Sequence, residues 1–222
     1  MSIEVRGLSF SYDGERETLR SLTFSVGPGE LCALVGPSGS GKSTLLQLVA
    51  GLLAPGLGSV RVFGADPAGP GRALGRRALV CLVTQTPERQ FFNETVHDEV
   101  AFALRRTGLP LAEVERRVEA ALRDVGLDPQ RCLFRSPMRL SGGEQRSVAI
   151  AVALALEPRA LLLDEPTAGL DPRTARRILD HLDAWRRARG APVMLVTHDP
   201  GVAGSRADRV LALSDGQAVY FG

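Results

Sequence analysis

Apolar positions along this chain fall into two alternating periodicities. Short, mostly apolar runs at 3–5, 22–26, 31–35, 59–63, 79–84, 160–163, 193–197, 209–213 and 218–221 read as strands. The runs LCALV, ALLLD and VMLVT are apolar without alternation, which suits parallel strands covered on both faces. Apolar residues three and four apart predict helices over 42–50, 96–107, 111–125, 143–156 and 172–189. The last of these has a clear start: Asp171 can cap the helix, and Pro172 takes the first helical position, where a missing N–H is harmless.

The order of these elements carries the architecture. The early strands follow one another through short turns and predict a small antiparallel layer. From Leu31 onward strands alternate with helices, the pattern of an α/β core with a parallel sheet. The stretch from about 86 to 140 offers two helices and no strand, so it reads as a helical insertion into that alternation. No internal repeat, low-complexity tract or linker divides the 222 residues.

Composition changes this picture at one point only. A hydrophobic fraction of 44% and a charged fraction of 23% are those of an ordinary globular protein. A net charge of +2 gives no reason to expect nucleic acid as a partner. The pairs Arg76-Arg77, Arg105-Arg106, Arg116-Arg117, Arg176-Arg177 and Arg186-Arg187 are interleaved with acids and read as solvated helix faces. Cys32, Cys81 and Cys132 lack metal-binding or CxxC spacing and read as reduced thiols of a cytosolic protein. The amino terminus lacks the features of a signal peptide. The longest apolar run, 148–156, falls short of the roughly 18 residues of a membrane span. Any membrane connection is therefore expected through a partner. The exception is lysine. Of 27 basic residues, 26 are arginine, and the one lysine is Lys42. Lysine is a compact point charge on a flexible stem, unlike the planar fork of arginine.

Lys42 stands in GPSGSGKST, which fits G-x-x-x-x-G-K-[ST] and lies between a predicted strand and a predicted helix. Gly36, Gly39 and Gly41 let the backbone curl so that its N–H groups form an anion cradle. Gly36, Pro37, Ser38, Gly39, Ser40, Gly41, Lys42, Ser43 and Thr44 are thus the expected phosphate site. Lys42 is placed to reach the β- and γ-phosphates, and Ser43 to bind Mg²⁺. The run ALLLDEP adds Asp164 at the carboxyl end of a strand, suited to hold Mg²⁺ through water. Glu165 follows at once and is placed to polarise an attacking water.

The string LSGGEQ (140–145) resembles the signature of the ATP-binding-cassette (ABC) ATPases, and further motifs of that family occur in order. Tyr12 in FSYDG matches the aromatic that stacks on adenine. Gln85 after VCLVT matches the Q-loop glutamine, a ligand of metal and water. Asp171 in AGLD matches the D-loop, and His198 in VTHD the switch histidine. The resemblance implies a P-loop NTPase fold with a RecA-like parallel-sheet core, a small antiparallel β subdomain and a helical signature subdomain. One domain over 1–222 is implied, with the core and β parts at 1–85 and 158–222 and the helical part at 86–157. It also implies ATP hydrolysis with Mg²⁺, with Glu165, His198, Lys42 and Gln85 as the catalytic set. Two subunits would close head to tail, so that Ser141, Gly142, Gly143 and Asp171 of one act on the nucleotide of the other. His97 and His181 match no motif and read as ordinary helix residues.

The segment PERQFFNETVHDEVAFAL (87–104) resembles the ATPases of energy-coupling-factor (ECF) importers, including the cobalt and nickel type. The matching positions are Pro87, Gln90, Thr95, Val96, Asp98, Glu99, Val100, Ala101 and Phe102. That likeness implies docking of a transmembrane coupling subunit near Phe91, Phe92, Glu94, Asp98 and Glu99. The carboxylates would pair with partner arginines, at the cytoplasmic face of the membrane. Two departures stand out. ECF ATPases commonly continue past the last strand where this chain ends at VYFG, and Ser147 replaces an arginine usual in the signature helix. The second is expected to affect packing or an intersubunit contact. The alternatives are a soluble non-transport cassette, for example of the cluster-assembly type, a cassette of another transporter class, or a nucleotide switch with negligible turnover. Cargo choice belongs to other subunits, so a metal ion or a vitamin fits equally.

Overall fold

The three fully apolar runs become the centre of the molecule. In the computed structural model, which describes residues 2–69 and 79–222, they form β3 (Leu31–Val35), β6 (Ala160–Asp164) and β7 (Val193–Val196). With β5 (Val80–Val83), β8 (Arg209–Ser214) and β9 (Gln217–Phe221) they build a sheet of order β5-β6-β7-β3-β8-β9. Its strands are parallel except for β9, which returns antiparallel to β8. A second, antiparallel sheet has the order β2-β1-β4, from β1 (Ile3–Ser11), β2 (Glu17–Val26) and β4 (Leu57–Val62).

Both faces of the parallel sheet are covered, each by its own core. Leu34, Leu162, Met194, Val196 and Leu211 pack with α1 (Lys42–Val49) and the antiparallel sheet. Leu161, Leu163, Val193 and Leu195 pack on the other side with α2 (Val96–Leu104), α3 (Leu111–Asp124), α5 (Gly142–Ala155) and α6 (Pro172–Arg189). Side chains alternate along a strand, so Asp164 shares the face of Leu162 and looks toward α1. This alternation is what later brings Asp164 to the phosphate loop.

The remaining helices, α4 (Pro129–Cys132) and α7 (Pro200–Arg206), were not apparent from periodicity because each is too short to show it. Both nevertheless begin with the Asp-Pro device of α6. Asp128 accepts from Gln130 N and Asp199 from Gly201 N, as Asp171 accepts from Arg173 N and Thr174 N. Strand β1 runs six residues beyond the predicted 3–5, because bulges between Val5, Leu8 and Phe10 break the alternation that marks a strand. The helix predicted to Thr107 ends as α at Leu104, tightens through Arg105–Thr107 and stops at Gly108 (φ 71°).

Two arginines correct the reading of basic pairs as solvated. Arg186 is 3% exposed and donates to Gly29 O, Asp183 and Asp208, tying α6 to the turn before β3. Arg117 is also buried, against Glu113 and Glu157. Arg76-Arg77 lies outside the described residues. All three cysteines are free and buried, and burial pushes the Cys32 and Cys81 thiols up to about 12. Among the described residues no helix is long and apolar enough to cross a membrane.

Leu162 is fully buried beneath α1 and bears on the position of Asp164 two residues later. Leu162→Ala is expected to cost about 2–5 kcal/mol of stability. Urea unfolding followed by fluorescence of buried Trp185, the single tryptophan, measures it.

Candidate active site

Strand β3 delivers the chain to the loop 36–44 and α1 carries it away. At Gly36 (φ 144°) a Cβ would run into the Leu213 carbonyl of β8 and meet Ser40 Oγ. At Gly41 (φ 98°), the residue preceding α1, a Cβ would press on the Leu19 side chain of β2. Glycine at these two positions therefore lets the loop sit against its neighbours while its backbone curls. Lys42 is only 6% exposed, and its Nζ donates to the carbonyls of Gly36 and Pro37 at 2.8 Å each. Burial lowers its pKa, while Glu165 and Asp164 act in the opposite direction. Ser40 Oγ is buried within the loop without a hydrogen-bond partner. A phosphate oxygen suits that unspent hydroxyl.

The acid pair follows from strand geometry. Asp164, on the α1 face of β6, hydrogen-bonds the Ser43 side chain. Burial raises its pKa, Ser43 opposes the shift, and Glu165 adds to it. A hydroxyl beside a desolvated carboxylate is a hard oxygen donor set of the kind Mg²⁺ takes. Among the described residues no cluster of three His, Cys, Asp or Glu side chains could hold a metal by itself. Glu165 is then turned into the left-handed region (φ 50°), which costs a non-glycine residue about 1–2 kcal/mol. The turn points its carboxylate along the sheet edge, where Gln85 Nε2 donates to Oε2 at 3.2 Å. His198 Nε2 lies 2.8 Å from Oε1. Gln85, Glu165 and His198 thus arrive from the ends of β5, β6 and β7 and meet at one carboxylate. Beside them a cavity of about 600 Å³ opens between Ala168, Leu170 and the starts of α6 and α7.

Tyr12 is 63% exposed and stands edge-on to Phe10, with ring centroids 4.9 Å apart. Its hydroxyl lies 3.1 Å from Thr44 Oγ1 and donates to Gln47 Oε1 at 3.3 Å, which sets the ring at the mouth of α1. The structure thus gathers Tyr12, loop 36–44, Gln85, Asp164, Glu165 and His198 into one region.

Ser141, Gly142, Gly143 and Asp171 are not part of that grouping. Among the described residues no hydrogen bond joins 141–143 to the loop 36–44. Ser141 caps α5 in a reciprocal box with Glu144: its N–H and its hydroxyl each donate to Glu144 Oε2 at 2.8 Å. Those bonds hold the Glu144 carboxyl below its usual range. Asp171 caps α6, its Oδ1 accepting from Arg173 N and Thr174 N.

Sequence reasoning missed Arg146. It is 5% exposed, and its Nη1 donates to Gln85 O at 2.8 Å and to Glu165 O at 3.3 Å. The signal was there: Arg146 lies four residues before buried Ile150, on the apolar stripe of α5, where a charge needs a reason. Its neighbour Ser147 is likewise buried.

The expected docking face needs one correction. Glu99 is 6% exposed and accepts from Phe92 N, Asn93 N and Asn93 Nδ2 at 2.9–3.2 Å. Its charge is spent holding the 92–93 turn, so no partner arginine can use it. Phe91 is half-buried against the core. Phe92 (65% exposed) and Glu94 face outward, with the Phe92 ring edge-on to Phe102 at 4.7 Å. His97 Nε2 lies 2.8 Å from Glu115, linking α2 to α3 as an ordinary structural contact.

A family model described as "ABC transporter" matches residues 19–168. The chain belongs to the ABC transporter family. It is 47% identical over 207 residues to the energy-coupling factor transporter ATP-binding protein EcfA2 of Symbiobacterium thermophilum, covering 93% of this chain and 71% of that protein. Among solved structures, it matches cbiO1 from Clostridium perfringens, part of the ABC transporter complex cbiONQ. The TM-score is 0.89 at 29% identity, over 99% of this chain and 87% of that one. A dimeric ATP-binding cassette in a post-hydrolysis state with ADP and Pi matches with a TM-score of 0.83 at 28% identity, over 99% and 97%. This ABC ATPase therefore has the expected fold: a P-loop parallel-sheet core, an antiparallel sheet and a helical part.

Asp98 gives this cassette a pH signature. The Thr95 hydroxyl, Arg105 and His97 hold its carboxyl at about 2, against an ordinary 3.8. A lowered acid pKa stabilises the fold above the ordinary value and ceases to do so as pH falls through the folded value. Asp98→Asn is expected to lower the urea midpoint at neutral pH. It should also flatten the decline of that midpoint between about pH 4 and pH 2.

Proposed function

We propose that this ABC ATPase is the ATP-hydrolysing subunit of an ECF-type importer, carrying a metal ion or a vitamin selected by other subunits. The likeness to EcfA2 and cbiO1 supports that class over a soluble cassette. The observation that carries the hydrolytic reading is the meeting of Gln85, Glu165 and His198 at one carboxylate. ATP lies on the loop 36–44, with Tyr12 against the base and Lys42 released from the Gly36 and Pro37 carbonyls to the β- and γ-phosphates. Ser43, Gln85 and Asp164 would hold Mg²⁺, which when bound neutralises charge on the phosphates. Glu165 takes the proton of the attacking water, Gln85 orients that water, and His198 holds the γ-phosphate.

The start of α5, where Ser141 and Gly142 are exposed and, among the described residues, make no hydrogen bond to this chain's own loop 36–44, supports completion of each site by a second subunit. Asp171 acts across the same junction. Dimeric architecture of a related cassette agrees with this. One domain comprises core and β parts at 1–85 and 158–222 and a helical part at 86–157. The protein sits peripherally at the cytoplasmic face, docked to a transmembrane subunit through Phe92, Glu94 and the exposed side of Asp98, with Phe91 behind them.

Glu165→Gln is expected to lower turnover by roughly 10²–10⁴-fold while ATP still binds; hydrolysis near the wild-type rate would remove the base role. For docking, Phe92→Ser with Glu94→Arg should abolish co-purification with the membrane subunit and leave turnover of the isolated cassette unchanged. Undiminished co-purification would sink that assignment.

A further inference from the structure

Arg146 occupies a costly position. A guanidinium taken out of water must be matched by good acceptors, or its burial destabilises the fold. Among the acceptors that meet it are the backbone carbonyls of Gln85 and Glu165, reached by one nitrogen at 2.8 and 3.3 Å. These residues come from different strand ends, and their own side chains touch at 3.2 Å. Glu165 is also the residue turned into the left-handed region, so the direction of its carbonyl and that of its carboxylate are set by the same rotation. Holding the carbonyl therefore holds the carboxylate.

From this geometry we infer that Arg146 is a positioning residue for hydrolysis: by gripping the Gln85 and Glu165 carbonyls from the signature helix, it fixes the reach of the Glu165 carboxylate. The inference rests on the reading of Glu165 as base. Arg146 lies five residues into the helix capped by Ser141, less than two turns away. A rigid helix passes any displacement of its capped end to that grip. Engagement of Ser141 by a second subunit's nucleotide then moves, or releases, the carboxylate that acts in its own subunit. Arg146 touches no reacting atom and acts through Gln85 and Glu165.

The test compares full-length Arg146→Lys and Arg146→Gln with wild type in single-turnover hydrolysis at saturating ATP, alongside ATP affinity and thermal midpoint. Each replacement ends short of the position of Nη1, glutamine by more than lysine, so each is expected to loosen the grip on the two carbonyls. The expected result is hydrolysis slowed about 10- to 100-fold, the size of effect a misplaced catalytic group gives, with ATP affinity retained. The same substitutions in a Glu165→Gln background should change the residual rate by less than about twofold, because residues acting as one unit are not additive. An unchanged rate in the folded variants overturns the proposal, as does an equal loss in the Glu165→Gln background. Loss of ATP affinity in step with rate, or unfolding of both variants, makes Arg146 structural and also overturns it. A Glu165→Gln protein that hydrolyses at the wild-type rate sinks the base reading instead, and that single variant separates the two failures.

Discussion

Parallel strand register is the constraint on which the site depends. Val83 pairs with Leu163, and Asp164 with Val196, so β5, β6 and β7 end at the same level. Loops leaving that common edge must pass close to one another, which is why α/β sheets bind ligands there. Gln85, Glu165 and His198 are each within two residues of a strand end, and short tethers leave their side chains little choice of neighbour. A slip of one residue in β6 would turn Asp164 away from Ser43 and Glu165 toward it. The buried, non-alternating apolar strands hold that register from both faces. The precision of the polar edge is thus inherited from an apolar core.

The parts legible in the sequence were those whose chemistry is local. The loop 36–44 declares itself through glycine spacing, and the strands through continuous apolar runs. The Asp164–Glu165 pair declares itself by its place at the end of one of them. What escaped depended on packing between distant segments. Arg146 reads as a polar residue after a signature until α5 is laid across the ends of β5 and β6. Glu99 reads as an available charge until the 92–93 turn folds over it. Arg186 reads as solvent-facing until the Gly29 carbonyl and Asp208 arrive from elsewhere. Helices α4 and α7 escaped for another reason: each is too short to show a period, so only its Asp-Pro cap marks it.

Family likeness and geometry contribute different things. The likeness predicts which residues act on which nucleotide, including a division of labour between subunits that one chain cannot display. The geometry adds how those residues are held. The Glu165 carboxylate has a neighbour at each oxygen, and its backbone is turned and gripped. Ser141 already has a carboxylate on its amide and hydroxyl. Both ends of the proposed composite site are therefore pre-organised by contacts within the chain.

The scarcity of lysine has a chemical corollary. Amine-directed reagents find side-chain nucleophiles almost everywhere on most proteins, and the label spreads. Here the only ε-amine is 6% exposed, faces the carbonyls of its own loop, and loses its proton more readily because it is desolvated. Apart from the chain terminus, amine acylation has one address, and it lies in the loop proposed to cradle the nucleotide. Protection of that amine from a label would therefore report what occupies the loop proposed to bind phosphate.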